Sequence, residues 1–318
     1  MKKLLTLAFI LINTLALAKI HILPESGRVP YIDFINKAEK TLDVEAYVID
    51  DVLIIAALKN AAERGVKIRF LLEKNKYTHE MTQSKSVDLS KLHPNFTLKL
   101  TPSTVKQLHT KIFLRDGNAA FVSTGNLDTE SFAGLKDEAP TRDFIFETAD
   151  AGLLKDLSNL FESDWTSTAV TPTPRLIVAP LNYRAEVTKA IQSAKKSIEI
   201  YQQDLSDKEL VALLLKRADE GIKISAVMTP YPFSKKSDNN KPFQEALVKK
   251  GGVVSLKSAP YIHTKVLLID RDTPDEHAFF GSSNFYTASL DENREIALIL
   301  RDKEDLDAFK KSFDFDLG

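Results

Sequence analysis

Apolar residues recur along this chain in two rhythms, a helical period and a strand alternation, and one succession of rhythms occurs twice. In the first half Tyr31–Lys40 has helical spacing and Leu42–Val48 alternates as a strand. Val52–Arg64 follows as an alanine-rich helix stopped by Gly65, with Asp51 placed to cap it. Val66–Leu72 is almost continuously apolar, the pattern of a strand buried on both faces. Tyr183–Lys196, Ser197–Gln203, Asp207–Glu220 and Ile222–Met228 repeat the series. Further strands are predicted at His109–Asp116, Ala119–Ser123 and Asp143–Glu147, and again at His263–Asp270, Ala278–Gly281 and Glu295–Leu300. Leu153–Phe161 and Lys303–Phe313 read as helices closing each half. Strands alternating with helices predict α/β units on a mostly parallel sheet.

The likeness of the halves extends to residues. A shift of 156 places Pro24 on Pro180, Ala38 on Ala194, Lys40 on Lys196 and Gly65 on Gly221. Thr41-Leu42-Asp43-Val44 then lies over Ser197-Ile198-Glu199-Ile200 without a gap. So long a period means a duplicated domain and not a solenoid. The expected organisation is a first lobe over 19–165, a linker over 166–175 containing Pro172 and Pro174, and a second lobe over 176–318.

Each half carries one polar triplet inside an apolar run. The first is His109-Thr110-Lys111, followed by Asp116 and then Ser123-Thr124-Gly125-Asn126. The second is His263-Thr264-Lys265, followed by Asp270 and Gly281-Ser282-Ser283-Asn284. On a strand, residues two apart share a face, so each histidine stands beside its lysine. An imidazole next to an ammonium suits a phosphate diester: the lysine neutralises a phosphoryl oxygen, and the histidine attacks phosphorus or moves a proton. One such triplet could be a strand with polar residues on its wet face. Two, at matched places in a chain with only six histidines, are not explained that way.

At these residues the sequence resembles the phospholipase D superfamily, whose signature is His-x-Lys-x4-Asp, six further residues, and Gly-Ser-x-Asn, present twice per active unit. The resemblance covers nearly the whole chain beyond residue 18. Two departures stand out: Ser123-Thr124 replaces Gly-Ser, and ten residues, Arg271–Phe280, separate Asp270 from Gly281. The resemblance implies duplicated α/β/α lobes related by a pseudo-twofold axis, with the motifs meeting between them. It also implies that one histidine becomes a phosphohistidine while the other protonates the leaving alcohol. On that pattern His109 is the expected nucleophile and His263 the acid and base. Lys111, Lys265, Asn126 and Asn284 would bind phosphoryl oxygens. Asp116 and Asp270 complete the motif and are expected to support its backbone. Asp143 and Glu295, each after an arginine at the start of a later strand, would orient the histidines in the manner of a triad.

Composition narrows the rest. With 43% hydrophobic and 27% charged residues, the chain is of globular type. The absence of cysteine excludes thiolate chemistry and disulfides. His21, His79, His93 and His277 have no metal-ligand spacing, so neither metal nor cofactor is expected. Lys2-Lys3, an apolar run from Leu4 and Ala16-Leu17-Ala18 predict a signal peptide over 1–18 cleaved behind Ala18, and hence a secreted or periplasmic protein. Without Lys2 and Lys3 the formal charge falls from −1 to −3, no footprint of a dedicated nucleic-acid binder. The expected substrate is therefore a phospholipid at a membrane surface, cleaved at its head-group ester. A nonspecific nuclease of the same superfamily is the alternative. Phe132, Tyr261, Phe285 and Tyr286 are candidates for an apolar cleft rim. A monomer without protein partners is expected.

Overall fold

A computed structural model describes residues 18–76, 88–134, 139–232 and 238–318, so the segment read as a signal peptide lies, but for Ala18, outside the described residues. The first half runs β1 (Lys19–Leu23), α1 (Val29–Asn36), β2 (Thr41–Ala46), α2 (Val52–Glu63), β3 (Lys67–Leu72), β4 (Phe96–Leu100), β5 (Ile112–Arg115), β6 (Ala119–Ser123), α3 (Thr129–Ala133), β7 (Thr141–Thr148) and α4 (Ala151–Thr166). The second begins β8 (Ile177–Ala179), α5 (Tyr183–Ser193), β9 (Ser197–Gln202), α6 (Lys208–Asp219), β10 (Lys223–Met228) and α7 (Lys241–Lys249). It continues β11 (Val253–Leu256), β12 (Tyr261–Ile262), β13 (Lys265–Ile269), β14 (His277–Gly281), α8 (Thr287–Asp291), β15 (Glu295–Leu300) and α9 (Lys303–Leu317).

Each half builds one sheet, and the two share a strand order. The first reads β4-β3-β2-β5-β6-β7-β1 and the second β11-β10-β9-β13-β14-β15-β8. Among the described strands, β2-β3-β4 and β9-β10-β11 pair in parallel, as does the short β12 with β7. The remaining in-sheet pairs are antiparallel, which corrects the expectation of a mostly parallel sheet. Connection length is the reason. α2 and α6 give the crossover that parallel neighbours need, whereas β5 and β6 are joined by a turn of three residues that only an antiparallel pair can use.

α2 starts where Asp51 accepts the N–H groups of Leu53 and Ile54, both at 3.2 Å; Asp207 does the same for Leu210 at the start of α6. These helices, with α1 and α5, bury their apolar faces on the outer side of each sheet. A third apolar cluster lies between the sheets. Leu157 and Phe161 of α4 and Phe309 and Phe313 of α9 pack there with Phe144, Phe146, Tyr201 and Phe280 from both sheets. Burying each such side chain is worth about 1.5–3 kcal/mol, so the shared layer binds the halves firmly.

The halves also exchange backbone. β12 pairs with β7 of the other half, Tyr261 opposite Thr141 and Ile262 opposite Arg142. Leu108 makes the matching bridge to Arg294.

Candidate active site

That exchange fixes both motif histidines. The backbone N–H of His109 donates to the Arg294 carbonyl at 2.9 Å, and that of His263 to the Arg142 carbonyl at 3.2 Å. Strand β5 begins only after Lys111, and β13 begins at Lys265, so the histidines lie ahead of the strands expected to carry them. The reason is this pairing across the halves, which takes the backbone away from its own sheet. Each lysine still reaches back to its histidine: Lys111 Nζ donates to the His109 carbonyl at 2.7 Å, and Lys265 Nζ to that of His263.

The carboxylate facing each ring comes from the opposite half. His109 Nδ1 is 3.0 Å from Glu295 Oε2, and His263 Nδ1 is 3.0 and 3.1 Å from the two oxygens of Asp143. Hydroxyls hold the carboxylates in turn. Thr124 and Thr141 each donate to Asp143 at 2.6 Å, and Ser282 and Ser289 each donate to Glu295 at 2.5 Å. Thr124 and Ser282 occupy one motif position, so the departure from Gly-Ser in the first half keeps the hydroxyl that matters. Its other residue, Ser123, is bonded by Tyr31 Oη at 2.6 Å. At the corresponding Gly281 a Cβ would lie 2.2 Å from the Ile296 carbonyl oxygen, so that half has no room for serine. A Cβ at Gly125 would likewise sit 2.9 Å from the Asp143 carboxyl group.

His109, Lys111, Asp143, His263, Lys265 and Glu295 are all buried. Burial alone would raise both carboxyls. The facing imidazole, the lysines and the hydroxyl donors outweigh it, holding Asp143 at about 2 and Glu295 below the usual range. Both carboxylates are therefore ionised and can only accept, which places a proton on each Nδ1 and leaves each Nε2 free for chemistry. Burial lowers the ammoniums, Lys111 to about 7 and Lys265 to about 8. Burial also lowers both histidines, helped by Lys111 and Lys265 and resisted by the carboxylates; each ring feels both lysines, which puts the two triplets in one site.

Asn126 and Asn284 each bury a side-chain oxygen without a partner among the described residues, while Asn284 Nδ2 donates to Gln203 Oε1 at 3.1 Å. An open amide oxygen accepts, so it marks where a ligand hydroxyl or a water can donate, whereas a phosphoryl oxygen would need the amide N–H groups. Asp116 and Asp270 are not brought to this centre. They lie at the far end of β5 and β13, at φ 51 and 55, and accept backbone N–H groups of Glu39, Lys40 and Thr41 and of Lys195, Lys196 and Ser197. Phe132 and Phe285 are core residues and not rim, while Tyr261 is partly exposed and bonds the Pro232 carbonyl at 2.6 Å. Sequence reasoning missed Tyr47, whose ring meets that of His109 edge-on at 4.8 Å with Lys111 Nζ 5.4 Å from it. Gln203 stands at the same place in the second repeat, and that correspondence was the available signal.

Among the described residues, no group of three or more His, Cys, Asp or Glu side chains is arranged to hold a metal ion, and no helix is long and apolar enough to cross a membrane.

Compared with known proteins, the chain matches the family model described as "Cardiolipin synthase, PLD-like domain" twice, over residues 31–165 and 187–317. It is 24% identical over 298 residues to cardiolipin synthase 1 of Bacillus anthracis, covering 82% of this chain and 57% of that protein. A phospholipase D of Rickettsia conorii is 40% identical over 77 residues, which are 22% of this chain and 38% of that one. The chain thus spans about half the length, or less, of these relatives. Among solved structures, phosphatidylserine synthase from Haemophilus influenzae superposes with a TM-score of 0.66 at 13% identity, covering 95% of this chain and 87% of that one. Polyphosphate kinase from Porphyromonas gingivalis gives 0.69 at 16% identity, covering 95% and 50%. At such identities these two likenesses speak for the fold alone.

Proposed function

Since the chain belongs to the phospholipase D-like family, we propose that it is a phosphodiesterase acting on the head-group esters of phospholipids through a phosphohistidine. The observation that carries the reading is the crossed arrangement of two imidazoles, each held at Nδ1 by a carboxylate of the other half, with both lysines in electrostatic reach of each ring. In the first step Nε2 of one histidine attacks phosphorus, and the P–O bond to the alcohol breaks as the other histidine, in its protonated form, gives that oxygen its proton. In the second step the now neutral histidine takes a proton from water, the new P–O bond forms and the P–N bond breaks. Lys111 and Lys265 offset charge on the phosphoryl oxygens, and the asparagine amides bond to them. We assign His109 as nucleophile and His263 as acid and base.

Transfer to an alcohol in place of water is a second reading, supported by the synthase names of the matched family and of one relative. We further propose, from the expected signal peptide, that the lipid is met outside the cytoplasm, and the slight acidity of the chain favours lipid over nucleic acid. The test offers purified protein mixed phospholipid vesicles, vesicles with glycerol, and plasmid DNA, each with and without chelator. Head-group release that survives chelator is expected, and glycerol exchange would mark the transferase. Cleavage of DNA with no turnover of lipid would overturn the lipid assignment.

A further inference from the structure

The pseudo-twofold symmetry breaks at one buried arginine, and a cavity opens where it breaks. Arg142, on β7 next to Asp143, donates Nε to Asp316 of α9 at 2.8 Å and Nη1 to the Leu23 carbonyl at 2.7 Å. Its Nη1 also donates to the carboxylate of Glu25, the residue after Pro24. Arg294, next to Glu295, repeats the first two contacts in kind. Its Nε donates to Asp164 of α4 at 3.2 Å and its Nη1 to the Ala179 carbonyl at 2.9 Å. The third contact is missing. The residue after Pro180 is Leu181, which is 49% exposed, and among the described residues no second carboxylate is in ion-pair contact with Arg294.

In its place lies a cavity of about 380 Å³ at the junction of the halves, lined by Arg294 and Asp164, by apolar Val105, Val170, Pro180 and Leu181, and by hydroxyls of the linker end of α4. Arg294 is 91% buried, so its charge depends on near partners. We propose that this cavity binds a small carboxylate with an apolar body, its charged end taking at Arg294 the place that Glu25 takes at Arg142.

The charges around Arg294 fit. Glu292 also lines the cavity but is paired with Lys106. Glu45, wholly buried behind Asp164, is the other acid in range; burial and then Asp164 push its carboxyl up to about 8. At neutral pH Arg294 is thus balanced by Asp164 alone, whereas Arg142 has two carboxylates. The apolar wall accommodates a short alkyl chain, and a buried arginine distinguishes a carboxylate from its neutral amide by charge-assisted hydrogen bonds.

The experiment is calorimetric titration of the whole protein with hexanoate and with hexanamide, in wild type, Leu181→Glu and Leu181→Gln. Leu181 is half-exposed, so both variants should fold, which their thermal transitions check. Leu181→Glu supplies the missing carboxylate from the chain itself, and Leu181→Gln is its uncharged counterpart. Saturable binding of hexanoate is expected in wild type and Leu181→Gln, weakened about tenfold or more in Leu181→Glu. Hexanamide should bind about tenfold or more weakly throughout. Ala169→Trp, which narrows the cavity from the linker side without changing charge, should weaken hexanoate as well. Absence of saturable binding in wild type overturns the proposal, as does equal affinity in Leu181→Glu or for the amide.

Discussion

With Nδ1 of His109 and His263 each given to an ionised carboxylate, Nε2 is the only ring atom either histidine can offer to phosphorus or to a proton. Because the carboxylates cross, Glu295 of the second half serves His109 of the first. Glu295→Gln should therefore reproduce the loss of phosphoenzyme expected of His109→Ala, and lower kcat by on the order of 10²–10⁴ through the wrong tautomer. Asp143→Asn should resemble His263→Ala, in which an intermediate still forms from an activated nitrophenyl diester and then persists for want of a base to activate water. Quenched-flow trapping separates the two, and label on His263 in a His109→Ala protein would show the roles reversed. His263 and the lysines together set the pH response. Each is charged below its pKa, and burial brings these down, to about 7 for Lys111 and about 8 for Lys265. kcat/KM, which reports the free enzyme, should accordingly fall in two stages as pH rises: first below the ordinary imidazole range, as His263 loses the proton it must give the leaving group, and again through 7–8 as the lysines lose their charge. Lys111→Arg, which stays charged, should move the second stage upward even at a lower rate. A profile with no second stage up to pH 9 would show that the ammoniums do not hold the phosphate.

Single elements carry the motif aspartates. Asp116 closes the β5–β6 turn in a left-handed conformation and takes three N–H groups from the residues entering β2, joining neighbouring strands at the end remote from the histidines. Asp116→Ala loses those acceptors and strains the turn, so it should cost about 2 kcal/mol of stability, read from the urea midpoint, with kcat near wild type. A kcat collapse at unchanged stability would place the carboxylate in the chemistry instead. Elements of this kind also decide what a sequence can show. The triplets stood out because histidine and lysine interrupt apolar runs, and the repeat because whole helix–strand units recur. The strands β1, β4, β8, β11 and β12 were not foreseen. Four of them lie at sheet edges, and β12 has two residues whose partner strand belongs to the other half. Phe132 and Phe285 look like rim residues beside a motif, yet each turns inward to a core that only the folded sheet supplies. The crossing of the carboxylates was beyond reach for a similar reason, since partners 186 and 120 residues apart leave no local pattern.

At the scale of the molecule, duplication usually suggests two units that could come apart, and the interior here argues against that. α9 closes the second half, yet its Phe309 ring meets Phe144 of the first sheet at 4.9 Å and Phe280 of the second at 5.7 Å. Arg142 of the first half is bonded to Asp316 of the same helix, so apolar and ionic contacts between the halves converge on α9. Neither half can keep its own histidine oriented, because Glu295 and Asp143 are exchanged along with the backbone pairing. Separating the halves would expose the central cluster to water and strand several buried charges at once, a cost that opposes any half-folded intermediate. Thermal unfolding should therefore be one cooperative transition, with calorimetric and van't Hoff enthalpies equal. Phe309→Ala, which removes a side chain contacting both sheets, should cost about 3–5 kcal/mol and shift that single transition without splitting it. Activity and near-ultraviolet ellipticity should be lost together along the curve. Two resolved transitions, or lost activity ahead of the main one, would show that the lobes part before they melt.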